Sequence, residues 1–297
     1  MPHRTLRKAG DDQALMSGRL IVASSIAEAR AAREAGAAYI AGGSWVMRAP
    51  VRGETVSGDH VALTRVGELS RIDISGDRLT IGAAVTHDAI AGTLAGMPEF
   101  GGLAAAAGKS ANPAIRRVAT LGGNLCTIGF AAADLVPALL ALDAEVTFVA
   151  TNGLQQMPVE RFLAQRHALL PDALVTAVHL RRAPRLSGHA RLPMRKAGGD
   201  YPVAIVSVSL GSGNGERHVR LAVGSVEPTA RRWTCLEAAL DALSVLSPEA
   251  GAEAARAFLG DFAPRNGIEA PGWYRVEVLP VLVRRALALA MPGEESD

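Results

Sequence analysis

Two short stretches limit what this chain can become: AGGSW at 41–45 and TLGGN at 120–124. Each sets a Gly-Gly pair beside a small hydroxyl residue and follows an apolar segment. Adjacent glycines end regular structure and let another backbone approach closely, because there is no Cβ to intervene. The pattern before the first pair is readable. Ser25 and Glu28 have capping-box spacing, Ala, Arg and Glu carry a helix to about Ala35, and Gly36 ends it. AAYIA follows as a short buried strand, so the first pair stops a strand.

Beyond that point the chain alternates. RIDI and RLTIGA read as strands joined by a turn at Gly76-Asp77, and Thr86 opens a helix in THDAIAGTLAG. An Ala-rich helix follows, Asn112-Pro113 starts another, and LGGNLC reads as a second glycine turn. ADLVPALLALDAEVTFVA runs from helix into strand, Asn152-Gly153 marks a tight turn, and ALVTAVHL is a strand. RRAPRLSGHARL, at 181–192, is basic, turn-rich and without periodicity, so it reads as a boundary. YPVAIVSVSLG and RHVRLAVGSV then form an antiparallel hairpin, and the stretch from about 230 to 291 is helical. Strands followed by a run of helices indicate an α+β fold. The expected division is a start at 1–17, a first domain at 18–182 and a C-terminal α+β domain at 187–291.

Composition excludes several functions. Charge is nearly balanced, at a formal net +2, and no basic stripe appears, so nucleic acid is not an expected partner. Two cysteines, Cys126 and Cys235, make neither a disulfide framework nor a metal site by themselves, and the expected compartment is reducing. The basic N-terminus lacks the apolar core of a signal peptide. The most apolar stretch is interrupted by Asp134 and Pro137, so no membrane span is expected.

Paired glycines suit a dinucleotide. A diphosphate needs several backbone N–H groups aimed at one point, and a neighbouring hydroxyl adds a donor. Ser44 and Thr120 fit that role, and Asn124 adds an amide. The same pairs also serve as plain turn punctuation. AAAAGKS ends like a phosphate-binding loop but has Leu103 where the first glycine belongs, and GSGNG at 211–215 reads as a hairpin loop. His87, in the first turn of a helix, reads as a surface or capping residue, and Cys126 as a small buried filler.

In order, AGGSWVM, LTIGAAVTH, IRRVATLGGNLC, AADLVPALLALDAEV and KAGGDYPVAIVSVSL closely resemble the FAD-binding medium subunit of the molybdenum hydroxylases, the family of carbon monoxide dehydrogenase and xanthine dehydrogenase. The resemblance spans about residues 18 to 290. It implies a two-lobed FAD-binding domain, then a C-terminal domain with a small antiparallel sheet and a helix bundle. It places FAD against Ala41, Gly42, Gly43, Ser44 and Trp45, and against Thr120, Leu121, Gly122, Gly123 and Asn124. Asp134 matches an acidic flavin contact, Val175 a further cofactor contact, and Tyr201 or Lys196 an approach to the isoalloxazine.

The resemblance also implies partners: a large subunit with molybdenum cofactor and a small subunit with two [2Fe–2S] clusters, as a cytoplasmic dimer of heterotrimers. The chain's role would then be to pass electrons from those clusters through FAD to an external acceptor. A stand-alone FAD-dependent oxidoreductase is the alternative. Two departures stand out. Trp45 occupies a position where the family has a small polar residue, and TIGFAAADL lacks the family's proline and is one residue longer.

Overall fold

The computed structural model describes residues 16–194, 201–213 and 216–291. The chain starts with β1 (Met16–Ser17), β2 (Leu20–Val22), α1 (Ile26–Glu34), β3 (Ala38–Ile40), β4 (Val56–Ser57) and β5 (His60–Ala62). Strands β2, β5 and β3 lie side by side in a parallel sheet, and β1 pairs with β4. Helix α1 begins as its sequence dictates. Ser25 Oγ accepts from Glu28 N at 3.1 Å, while the Glu28 carboxylate accepts from Ser24 N at 2.8 Å. Gly36 ends it at φ +99°, in the region that favours glycine.

A second layer follows. Strands β6 (Ile72–Ser75) and β7 (Arg78–Gly82) form the expected hairpin, with Gly76 at φ +57°. Helices α2 (His87–Thr93), α3 (Gly101–Lys109), α4 (Pro113–Arg116), α5 (Leu121–Cys126) and α6 (Leu135–Ala141) come next. Then come β8 (Glu145–Ala150), β9 (Gly153–Pro158), α7 (Val159–Leu169) and β10 (Leu174–Arg181). The sheet order is β6-β7-β10-β8-β9, antiparallel throughout. Every residue of α6 is buried, and with Leu121, Phe148 and Phe162 it forms the largest core. Each Leu, Val or Phe of this core withdrawn from water contributes roughly 1.5–3 kcal/mol.

The last part carries β11 (Arg185–Pro193), β12 (Pro202–Gly213), β13 (Glu216–Gly224) and β14 (Arg231–Arg232) in one antiparallel sheet. Helices α8 (Thr234–Asp241), α9 (Pro248–Arg256), α10 (Gly272–Glu277) and α11 (Leu279–Ala290) follow it, and a separate core gathers around Trp233, Leu282 and Val283. The α+β class is as expected.

Two local expectations are overturned. Residues 185–193 are a nine-residue strand, not part of a patternless boundary. Its buried positions are Ser187, Gly188, His189 and Ala190, so no apolar alternation marks it. Gly188 is required there, since a Cβ would fall 2.0 Å from the Ala286 carbonyl oxygen of α11. Residues 121–126 are a helix, not a turn, because Thr120 caps them and accepts from Gly123 N at 3.1 Å.

Candidate functional site

The two glycine segments converge. A Cβ on Gly42 would lie 1.6 Å from the Val118 carbonyl oxygen, so only glycine lets the first segment rest on the chain entering the second. Gly43 takes φ +66°. Residues 85–87 bridge to 119–121, with His87 N donating to Ala119 O at 2.9 Å and Leu121 N to Val85 O at 3.0 Å. Gly122 N donates to Ala83 O at 2.7 Å, and a Cβ there would stand 2.9 Å from that same oxygen.

Between these segments runs a cleft of about 600 Å³. Ala41 to Trp45, Thr120, Gly122, Gly123, Asn124, Asp134, Val175 and Tyr201 all line it. Leu121 does not; it is fully buried in the main core. Lys196 lies outside the described residues.

The segments differ in what they offer a ligand. The N–H groups of Gly42, Gly43, Ser44 and Trp45 have no backbone acceptor among the described residues. Those of Leu121, Gly122, Gly123 and Asn124 are all taken, by Val85 O, Ala83 O, the Thr120 hydroxyl and Thr120 O. The two pairs therefore present different groups to the cleft. The first pair has amides free to meet an anion. The second supplies a wall without Cβ atoms and the Asn124 side chain, whose Oδ1 accepts from Leu135 N at 3.1 Å. The fit to a dinucleotide is good: a glycine cradle, free amides and a long apolar cleft.

One end is aromatic. Trp45 and Phe130 have ring centroids 4.7 Å apart, and Phe130 meets Tyr201 edge-on at 5.3 Å. The Arg52 guanidinium sits 4.1 Å above Trp45, and that of Arg48 5.1 Å from the Tyr201 ring. Trp45 thus packs within a cluster.

The ionisable groups are set by burial. Asp134, 3% exposed, precedes α6 without capping it. Arg191 Nε on β11 approaches its Oδ1 to 2.7 Å, a close buried ion pair. Desolvation pushes the Asp134 carboxyl up to about 7, against the pull of Arg191. His87 is a buried wall of the cleft, not a surface residue; its Nδ1 pairs with Ser110 Oγ at 2.7 Å, and burial lowers it to about 4. Cys126 also lines the cleft, and burial raises its thiol to about 12, far from a reactive thiolate.

Sequence reasoning did not single out Phe130, Arg48 or Arg191. A phenylalanine in the segment that lacks the family's proline was the available signal for the first. The second and third carry none, since an isolated arginine does not reveal its partner.

The described residues include no helix long and apolar enough to cross a membrane. Residues 16–182 match the family described as the FAD binding domain in molybdopterin dehydrogenase, and residues 192–290 the CO dehydrogenase flavoprotein C-terminal domain. The chain is 31% identical over 245 residues to 6-hydroxypseudooxynicotine dehydrogenase complex subunit alpha of Paenarthrobacter nicotinovorans, covering 80% of this chain and 82% of that one. It is 28% identical over 242 residues to the xanthine dehydrogenase FAD-binding subunit of Escherichia coli O157:H7, covering 78% and 80%. A solved Cu,Mo-CO dehydrogenase chain has the same fold, with TM-score 0.81 at 24% identity over 93% of this chain and 98% of that one. This chain belongs to the FAD-binding subunits of the molybdopterin dehydrogenases and is an oxidoreductase subunit whose cofactor is FAD.

Proposed function

We infer that the cleft holds FAD with its diphosphate on the amides of Gly42, Gly43, Ser44 and Trp45 and its isoalloxazine at the aromatic end. The observation that carries this reading is the contrast between the two glycine segments: among the described residues, the amides of the first have no backbone acceptor and those of the second are all taken. The Ser44 hydroxyl adds a donor, and Thr120, Gly122, Gly123 and Asn124 form the opposing wall. Val175, beside a register shift in β10, closes the floor. Leu121 supports that wall from the core. Asp134, paired with Arg191, fixes the edge where β11 meets the cleft.

Bound flavin supplies redox chemistry, exchanging electrons singly or as a pair. The chain's residues bind it, orient it and keep one end open. The relatives are subunits of larger enzymes, and 6-hydroxypseudooxynicotine dehydrogenase is named as a complex. We therefore assign this chain to a complex with a large molybdenum-cofactor subunit and a small [2Fe–2S] subunit, in the cytoplasm, as a dimer of heterotrimers. Within it the chain passes electrons from those clusters to an external acceptor. The division into residues 18–182 and 187–291 belongs to the same reading.

Co-expression with the two partner genes tests it. Expected is a yellow complex whose flavin bleaches on adding the large subunit's substrate and recolours with the acceptor. A yellow chain that stays monomeric beside both partners, and is reduced directly by a small donor, favours the stand-alone oxidoreductase.

A further inference from the structure

Ser225 follows β13, is fully buried and takes φ +65°, a conformation uncommon for a residue with a Cβ. It does not line the cleft, yet it binds two of the chain segments that supply the cleft's aromatic end, those of Phe130 and Tyr201. Its N–H donates to Ala131 O at 3.0 Å, next to Phe130. Its hydroxyl donates to Pro202 O at 2.6 Å, next to Tyr201. The rings of Phe130 and Tyr201 meet edge-on at 5.3 Å.

Two arginines lock the serine in turn. Arg265 Nε donates to Ser225 O at 3.0 Å, and another of its nitrogens to Ser225 Oγ at 3.1 Å. Arg275, fully buried, donates to Ser225 O at 3.2 Å and to Val203 O at 2.7 Å. Glu269 stands 2.8 Å from Arg275 and 3.5 Å from Arg265. A buried network of this kind fixes one backbone arrangement, since any opened bond strands a desolvated group.

The geometry points to Ser225 as a positioning residue for FAD: it sets the spacing of Phe130 and Tyr201, and so the slot for the flavin ring, without touching the ligand. This rests on placing the isoalloxazine at the aromatic end. Ser225→Ala keeps the N–H bond to Ala131 but releases Pro202 and removes the Oγ acceptor of Arg265. Ser225→Gly does the same and also relieves the positive φ, so it is the variant that keeps the fold if alanine does not.

The test uses the full chain loaded with FAD. Measured are the FAD dissociation constant, the emission yield of bound flavin, which contacting aromatic rings quench, and the far-ultraviolet circular dichroism. Leu240→Ala, a core truncation away from the network, controls for general destabilisation. Tyr201→Leu gives the reference signal for a disturbed slot.

Both Ser225 variants are expected to weaken FAD binding roughly tenfold, the equivalent of about 1.4 kcal/mol. They should raise bound-flavin emission as Tyr201→Leu does, while Leu240→Ala leaves emission unchanged. If Tyr201→Leu changes emission and both Ser225 variants match wild type, the positioning role is overturned. Loss of fold in both variants also overturns it, in favour of a purely structural role. If Tyr201→Leu itself changes nothing, the placement of the flavin ring fails instead.

Discussion

Gly42 and Val118 touch backbone to backbone: a Cβ on the first would stand 1.6 Å from the carbonyl oxygen of the second. That approach joins the two glycine segments into one wall. Gly42→Ala is therefore expected to displace the wall, costing about 3 kcal/mol or more in stability and abolishing FAD retention. Gly43→Ala is the contrast. A Cβ there finds its nearest neighbour at 3.5 Å, so the cost is the left-handed conformation alone, about 1 kcal/mol. Urea unfolding and the flavin-to-protein absorbance ratio check both.

The cleft histidine gives a pH signature. In the folded chain His87 titrates near 4, against 6.5 for a free histidine, because burial disfavours its charge. The unfolded chain therefore binds more protons between those values. The His87 contribution is complete above about pH 6.5 and is lost as pH falls toward 4, about 3 kcal/mol in all. Buried His189, also lowered, acts in the same direction. His87→Gln should flatten the acid limb of stability against pH by about one proton, read from urea midpoints at pH 7.5 and 5.

Asp134 has the opposite sign. Burial raises its carboxyl from 3.8 to about 7, so the folded chain holds a proton that the unfolded chain has released between those values. Its contribution is largest below about pH 4 and fades as pH rises through 7. Asp134→Asn removes this slope, so stability should climb more steeply with pH than in wild type over pH 4.5–6.5.

Trp45 packs against Phe130 at 4.7 Å beneath the Arg52 guanidinium. Removing the ring opens the aromatic end. Trp45→Ala is expected to weaken FAD binding roughly tenfold, an effect of about 1.4 kcal/mol, with little change in melting temperature. Equilibrium titration alongside a thermal melt separates the two effects.

Much of this was legible because the sequence carries local chemistry. Ser25, Thr86 and Asn112 each cap a helix by accepting from the N–H three residues on, as their spacing indicates. Gly76 and Gly153 take positive φ at the tight turns. The site was partly legible, since both glycine segments and Tyr201 line the cleft. What stayed hidden depends on tertiary partners. Strand β11 is buried from two sides, with Ser187 bonded to Gly102 of α3 and Gly188 against Ala286 of α11, which leaves no hydrophobic period to read. The 121–126 helix contains two glycines and forms because Thr120 caps it and Val85 and Ala83 take its first amides. His87 looks like a surface residue until α2 is packed and Ser110 comes within 2.7 Å.

In the proposed complex with FAD, the N–H groups of Gly42, Gly43, Ser44 and Trp45 receive the diphosphate, while those of residues 121–124 are already engaged within the chain. Amide hydrogen exchange of the full chain, with and without FAD, measures this directly. Exchange at 42–45 should slow by at least tenfold on binding, with only small changes at 121–124, which are protected beforehand. A chain that turns yellow while the amides of 42–45 exchange as before would mean that the diphosphate binds elsewhere.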